Sequence, residues 1–411
     1  MSCSSLVGSR DTRRLGPPAG LKVLLPGIGV LVLVAAAVGR ARSSTDGMPS
    51  TGGATFLVLL TAAFMCYAVA SVVGERRSPS LPIVLVLGAA IQLAPLAGPL
   101  LLSSDAHSYA AYGRIDVALG GNPYVDPPAA FPSDRVTAAV AGGWRETPSV
   151  YGPVFAAVSA VVARIAGGDP KPAVRLYRVT AAAAMLALIG LAALLAERPA
   201  RAAAFVGWNP LLAVHFAGGG HNDAIMMVLV LAGLAAGRRR PSVGGACWAA
   251  AAAIKWVPLP LYALWAVAAS RRGAKTGLSG LVAAAGVIVA FATWRYGLDW
   301  TRVVTPLVRT AGEQSRYSLA RRLEAVGLPD GLSTVAVVTI AVTGGLFLLR
   351  AALSGRARLG LAAGLLLVVT PWLLPWYAVW PVALAATERE RNSRVLALVL
   401  SAYLLPARIG L

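Results

Sequence analysis

The sequence predicts an all-α polytopic membrane protein, and three observations carry that reading. Of the 411 residues, 57% are hydrophobic and only 13% charged, and the mean hydropathy is +0.70, outside the usual range for a soluble chain. Apolar runs of about 20 residues, the length that carries a helix across a hydrocarbon core of roughly 30 Å, recur along the chain. Lys and Arg collect in the short loops between those runs, as the positive-inside rule requires. The excess of 37 basic over 17 acidic residues, a formal charge of +20, therefore reports topology and contact with anionic membrane lipid rather than nucleic acid. About 11 to 13 membrane segments are expected, some broken or re-entrant, with two long outer loops.

In chain order, residues 1–20 form a cytoplasmic tail with Arg10, Arg13 and Arg14, followed by an uncleaved first span, Leu21 to Val38. Spans follow over Thr55 to Val73 and Pro82 to Leu102, with Arg76 and Arg77 between them on the cytoplasmic side. That order puts Ser103 to Ser149 outside, as a Pro- and Gly-rich loop too aromatic to be disordered. Apolar runs then cover 150–166, 173–196, 200–217 and 225–236. Alternation fails if all of them cross fully, so the run over 200–217 breaks at Trp208, Asn209 and Pro210, where proline removes a backbone donor. The stretch from Ser242 to Ser270 enters and returns, interrupted at IKWVPLP; such breaks are tolerated only where they face protein or a wet cavity. A span over Leu278 to Tyr296 leads to a second outer loop, 297–333, and spans near 334–349, 359–369, 372–386 and 395–405 complete one membrane domain. Within it, residues 82–331 form the core and 332–411 a set of C-terminal helices.

Acids are scarce, so their positions are informative. Asp105 and Asp223 sit at the ends of apolar runs on the outer side, where a carboxylate stays ionised beside a partly dry cleft. Function is favoured for Asp105, while helix capping competes evenly at Asp223. The three histidines, His107, His215 and His221, fall in the same two regions. Their spacing matches no metal motif, so a divalent metal is not favoured and no cofactor is assigned. Cys3, Cys66 and Cys247 are scattered and read as packing residues.

Lys255 lies in an apolar run and needs an anionic partner, such as a phosphate, unless it snorkels to the interface. In the second loop Arg302, Arg309, Arg316, Arg321 and Arg322 run against the positive-inside bias, which a lipid phosphate or pyrophosphate would explain. Trp372, Trp376, Tyr377 and Trp380 in PWLLPWYAVWP form an interfacial belt in the simpler reading, with a groove for a lipid chain or sugar-stacking faces as the alternative.

Taken in order, these blocks carry a resemblance. Asp105 is followed by YGR and GNPY, then by YGPV from Tyr151, WNP from Trp208, GHND from Gly220, IKWVP from Ile254 and PWLLPWY from Pro371. The set resembles the actinobacterial polyprenyl-phosphate-mannose-dependent α-1,6-mannosyltransferases of the lipomannan-backbone type, and its order is similar to the mannosyltransferase that adds the first mannose of the glycosylphosphatidylinositol anchor. The resemblance implies the GT-C glycosyltransferase fold in the cytoplasmic membrane, with the active site facing outward and short interfacial helices in the first outer loop. It implies a polyprenyl-phosphate mannose donor, a mannan or glycolipid acceptor, and Asp105 as the catalytic acid residue of that loop.

In that scheme Asp105 is the general base of a single inverting displacement. Lys255, Arg309, Arg316 and Arg321 hold the donor phosphate. His107, Tyr109, Tyr112, Arg114, Asn122, Tyr124, Tyr151, Asn209, His221, Asn222, Asp223 and Trp376 contact sugar or acceptor. A different polyprenyl-phosphate sugar, arabinofuranose or glucose, would leave the mechanism intact. The competing class is a lipid or sugar flippase, which would show paired halves with charges at mid-membrane, and no such repeat is visible. A non-catalytic scaffold ranks third.

Overall fold

A computed structural model describes residues 21–41, 53–73, 79–305 and 313–409. The N-terminal tail, the Arg76 and Arg77 loop and Arg309 lie outside the described residues. Among the described residues every regular element is helical, which is how a chain satisfies its backbone groups in lipid.

Among the described residues, five helices are long and apolar enough to cross a membrane. They are α1 (Leu21–Arg40), α2 (Gly53–Val73), α7 (Pro170–Leu195), α13 (Leu278–Tyr296) and α15 (Asp330–Leu353). Two of the expected spans are shorter than the sequence predicts. The run from Pro82 to Leu102 is not one span: α3 (Leu81–Leu93) gives way to a 3₁₀ turn, Ala94–Ala97, that contains Pro95. The run near 372–386 likewise shortens to a 3₁₀ turn, Pro375–Ala378, and α17 (Val379–Thr387). Hydropathy stays high through both breaks, whereas the missing N–H and fixed φ of proline decide where the helices stop.

Proline also starts helices here. It occupies the first helical position of α6 (Pro153–Ala166), α7, α8 (Pro199–Gly207), α9 (Pro210–Phe216), α11 (Pro241–Ala252) and α12 (Pro258–Arg271), where its absent donor costs nothing. The breaks between α8 and α9 and between α11 and α12 fall where the sequence placed them. At the first, Asn209 caps α9, its side-chain oxygen accepting from the N–H groups of Leu211 (3.1 Å) and Leu212 (3.4 Å).

The first long loop begins with a helix, α4 (Asp105–Ala118), followed by short turns and α5 (Arg135–Ala138). Ten residues of α4 are buried, so it is a packed element lying along the end of the bundle. It packs on α6 and α7, and Gly113 permits the approach, because a Cβ there would lie 2.1 Å from the Ser159 carbonyl oxygen. In the core, α7 packs on α10 (Asp223–Gly237), α10 on α11, and α11 on α13. α17 packs into the same centre, against α8, α10 and α7. The remaining helices are α14 (Leu319–Ala325), α16 (Leu359–Val369) and α18 (Arg391–Leu404). Much of α13 and α15 is open to the surroundings, with Val287 and Trp294 on α13 and Val335 and Leu346 on α15 exposed, as lipid-facing helices require.

Candidate active site

One backbone contact and one buried arginine assemble the site. The Leu101 N–H donates to the Gly218 carbonyl (3.0 Å), joining the approach to α4 to the glycine turn after α9. Arg178, buried in α7, locks the same corner by donating from Nε to the Ala217 carbonyl (2.9 Å) and from Nη2 to the Pro95 carbonyl (2.6 Å). The turn closes with Gly220 at φ +79°, a backbone setting that favours glycine, and delivers His221, Asn222 and Asp223 under α4. Sequence reasoning missed Arg178; the available signal is that it is the innermost of three basic residues, Lys171, Arg175 and Arg178, at the edge of the apolar part of α7.

Asp105, the first residue of α4, is nearly buried. Its Oδ2 lies 3.4 Å from His221 Nδ1 and accepts from the Tyr109 hydroxyl at 3.5 Å. Burial by itself pushes this carboxyl up. His221, the Arg408 guanidinium and Ser103 outweigh that effect and hold it below the usual carboxylate range. His221 stacks face to face on Trp376, ring centroids 3.6 Å apart and planes at 16°. Tyr109 meets Tyr151, Phe155 and Tyr177 edge to face at 5.0, 4.9 and 5.4 Å, which fixes the first two turns of α4.

Asp223, fully buried at the start of α10, is no helix cap. Its Oδ2 accepts from Lys255 Nζ at 2.7 Å and its Oδ1 from Trp380 Nε1 at 2.9 Å. Lys255 therefore does not snorkel. It comes from the α11–α12 break, and its ammonium also faces the rings of Tyr377 (5.2 Å) and Tyr151 (5.9 Å). The position of Lys255 depends on Gly152, whose N–H donates to the Ile254 carbonyl at 3.1 Å.

Asp105, Tyr151, Lys255 and Trp376 line one cavity of about 720 Å³. Its remaining walls are mostly apolar, from Ala252, Val257, Ile288, Val289, Leu366 and Val369 among others, and Trp144 and Trp300 line it as well. A polar end carrying one acid and one lysine thus faces a long apolar trough between α11, α13 and α16.

Several expected site residues lie elsewhere. Tyr112 donates to the Thr147 carbonyl (2.9 Å), Tyr124 to the Tyr151 carbonyl (3.1 Å), and Arg114 pairs with Asp134 (3.0 Å). Asn122 ties the first loop to the end of α13 by donating to the Tyr296 carbonyl (3.1 Å). These residues shape the loop rather than the cavity. His107, half-buried on α4, does not line the cavity either, and Asn209 is held by its cap and by Ser401 (3.3 Å). Asn222 is buried behind His221 with both amide atoms unpartnered.

The described second-loop arginines also fall away from the cavity. Arg302 pairs with Asp299 and Arg321 with Glu324, both at 2.9 Å; Arg322 donates to the Tyr403 hydroxyl (3.0 Å), and Arg316 is exposed. Nearby acids neutralise two of them, so their charge needs no lipid phosphate. The aromatic run corrects the belt reading, since Trp376 and Trp380 are buried core residues of the site. Among the described residues no group of three or more His, Cys, Asp or Glu could hold a metal ion.

Fold and site together define a polytopic membrane protein with a polar pair at the head of an apolar cleft. Residues 29–272 match the N-terminal-domain model of the alpha-(1->6)-mannopyranosyltransferases, and the chain belongs to that family. Alpha-(1->6)-mannopyranosyltransferase A of Mycobacterium tuberculosis is 30% identical over 345 residues, covering 73% of this chain and 65% of that protein. A Mycolicibacterium smegmatis protein whose name gives the same activity in provisional form is 28% identical over 372 residues, covering 74% of this chain and 65% of its own length. Alpha-(1->6)-mannopyranosyltransferase B of Corynebacterium glutamicum is 25% identical over 342 residues, covering 71% and 56%. The chain thus spans about two thirds or less of the relatives it matches. No solved structure matches.

Proposed function

We propose that the protein transfers mannose from a polyprenyl-phosphate mannose to a mannan or glycolipid acceptor, at the outer face of the cytoplasmic membrane, as an inverting glycosyltransferase of GT-C architecture. The observation that carries this reading is the shared cavity: Asp105 and Lys255 line one space of about 720 Å³ whose other walls are largely apolar. A carboxylate and an ammonium at the head of an apolar trough suit a lipid whose phosphate joins a sugar to a hydrocarbon chain. Family membership supports mannose as the sugar.

In the reaction the acceptor hydroxyl oxygen attacks the anomeric carbon, the bond from that carbon to the phosphate oxygen breaks, and Asp105 takes the hydroxyl proton. A carboxylate held ionised is the form a general base needs. Lys255, oriented by Asp223, presents its charge to the departing polyprenyl phosphate, which is already a good leaving group. Trp376 and Tyr151 supply the aromatic faces lining the polar end. Holding two membrane-borne substrates in line contributes much of the remaining rate.

The test is transfer from radiolabelled polyprenyl-phosphate mannose to a mannoside acceptor in membranes, with wild type beside Asp105→Asn at matched protein level. Transfer by wild type and its loss in the variant is the expected result. Equal transfer by both would remove Asp105 from the mechanism, and no transfer by either would overturn the donor assignment.

A further inference from the structure

Beyond α18 the chain turns sharply. The Ala407 N–H donates to the Leu404 carbonyl (3.1 Å) and the Ile409 N–H to the Pro406 carbonyl (3.3 Å). Arg408 sits in this turn at φ +70°, a left-handed setting that disfavours a residue with a Cβ. Its guanidinium carbon lies 5.7 Å from the centroid of Trp376. Trp376 stacks on His221 at 3.6 Å, and His221 Nδ1 is 3.4 Å from Asp105 Oδ2. The four side chains form a column from cation to indole to imidazole to carboxylate. Arg408 lies outside the residues that match the family model.

Charge balance singles Arg408 out. The site holds two buried carboxylates, and Asp223 already has Lys255 against it. The titratable groups that bear on Asp105 are Tyr109 and Tyr112 of α4, Tyr151 before α6, His215 of α9, His221 and Tyr377. None of these carries a permanent charge. Arg408, which acts on the same carboxyl, does, and among the described residues no carboxylate pairs with it directly. A carboxylate at this depth is costly without an opposite charge nearby, and arginine is suited to act across an aromatic face.

We propose that Arg408 is a positioning residue of the transfer reaction, holding the Trp376–His221 stack against Asp105 and supplying its counter-charge. The inference rests on the reading of Asp105 as the base. Without the guanidinium the stack loses its outer member and Asp105 its permanent cation, so the base is both less well placed and less fully ionised. Substrate contacts at Lys255 and Tyr151 are untouched.

The test compares wild type, Arg408→Gln, Arg408→Lys and Asp105→Asn of the full chain in nanodiscs, with radiolabelled polyprenyl-phosphate mannose and a synthetic α-1,6-dimannoside acceptor. Arg408→Gln should lower kcat by ~10-fold or more with both KM values within about twofold, move the acid limb of the pH profile upward, and be largely rescued by Arg408→Lys. An acid limb that stays in place in Arg408→Gln, whether activity is unchanged or falls together with thermal stability, would overturn the inference. Asp105→Asn separates the two readings: its inactivity beside a normal Arg408→Gln sinks only the role of Arg408, while its full activity sinks the base assignment beneath it.

Discussion

Lys255 and Asp223 are 32 positions apart in sequence and meet at 2.7 Å, joining the break between α11 and α12 to the start of α10. Asp223 is fully buried, and the pair registers the start of α10 against the Lys255 segment that lines the cavity. Removing one partner strands the other charge, which typically costs about 3–5 kcal/mol in such settings. Lys255→Met should therefore lower the melting temperature in detergent and abolish transfer. The double variant Lys255→Met/Asp223→Asn should recover most of the stability and none of the activity. A double variant that melts no higher than the single one would show that the pair does not couple these elements.

Trp380 contributes to the same acid through one hydrogen bond, its Nε1 donating to Asp223 Oδ1 at 2.9 Å. Trp380→Phe keeps most of the ring and deletes the donor, leaving the second carboxylate oxygen unpartnered, at a cost of about 1–3 kcal/mol. Its stability loss should shrink in the background of Asp223→Asn, where the oxygen no longer carries charge. Equal losses in the two backgrounds would place the effect of Trp380 in packing alone.

The Asp105 carboxyl is held below the usual carboxylate range, which fixes the sign of a pH effect. The group is ionised at and above neutrality, so transfer should stay level as pH falls from 7 and decline only on passing below the ordinary carboxylate range. The same depression stabilises the folded state above the unfolded-state pKa, and that stabilisation is lost as pH falls through the folded-state value. His221→Ala removes the nearest of the groups that lower the carboxyl and should move the acid limb upward. An acid limb unmoved in His221→Ala would show that His221 does not tune the carboxyl.

What could be read in the sequence follows from the range of the interaction that encodes it. Composition and run length set the membrane class because each residue contributes locally. The breaks at Pro210 and Pro258 were legible because proline acts on its own turn. Asp105 and Lys255 stood out as charges next to or inside apolar runs. The Lys255–Asp223 pair, the roles of Trp376 and Trp380 and the column ending at Arg408 depend on helices crossing, which no local window reports. An interfacial tryptophan and a buried one have the same composition, and Arg302 and Arg321 of the second loop looked unpaired until Asp299 and Glu324 were placed beside them. Half-length helices such as α3 escaped for a related reason, since the residues after Pro95 remain apolar while the helix has stopped.

Gly152 is a point of close backbone approach beside Lys255. Its backbone lies flat against the segment leading to Lys255, with its N–H on the Ile254 carbonyl and the Val154 N–H on the Ala253 carbonyl at 3.2 Å. A Cβ at Gly152 would stand 2.1 Å from the Ala253 carbonyl oxygen. Backbone rather than a flexible side chain would have to move, so Gly152→Ala must push the α11–α12 break away from the start of α6. The cost should be about 1–3 kcal/mol, and the displaced Lys255 should lose transfer by ~10-fold or more, since misplacement by about 1 Å at a reacting centre is enough for such losses. Gly190 on α7 is the matched control. A Cβ there meets nothing within 4 Å, so Gly190→Ala should leave activity intact and stabilise the helix by up to about 1 kcal/mol. Thermal melts and transfer rates of the two variants side by side decide the matter: equal behaviour would mean that the close approach at Gly152 does not govern where Lys255 sits.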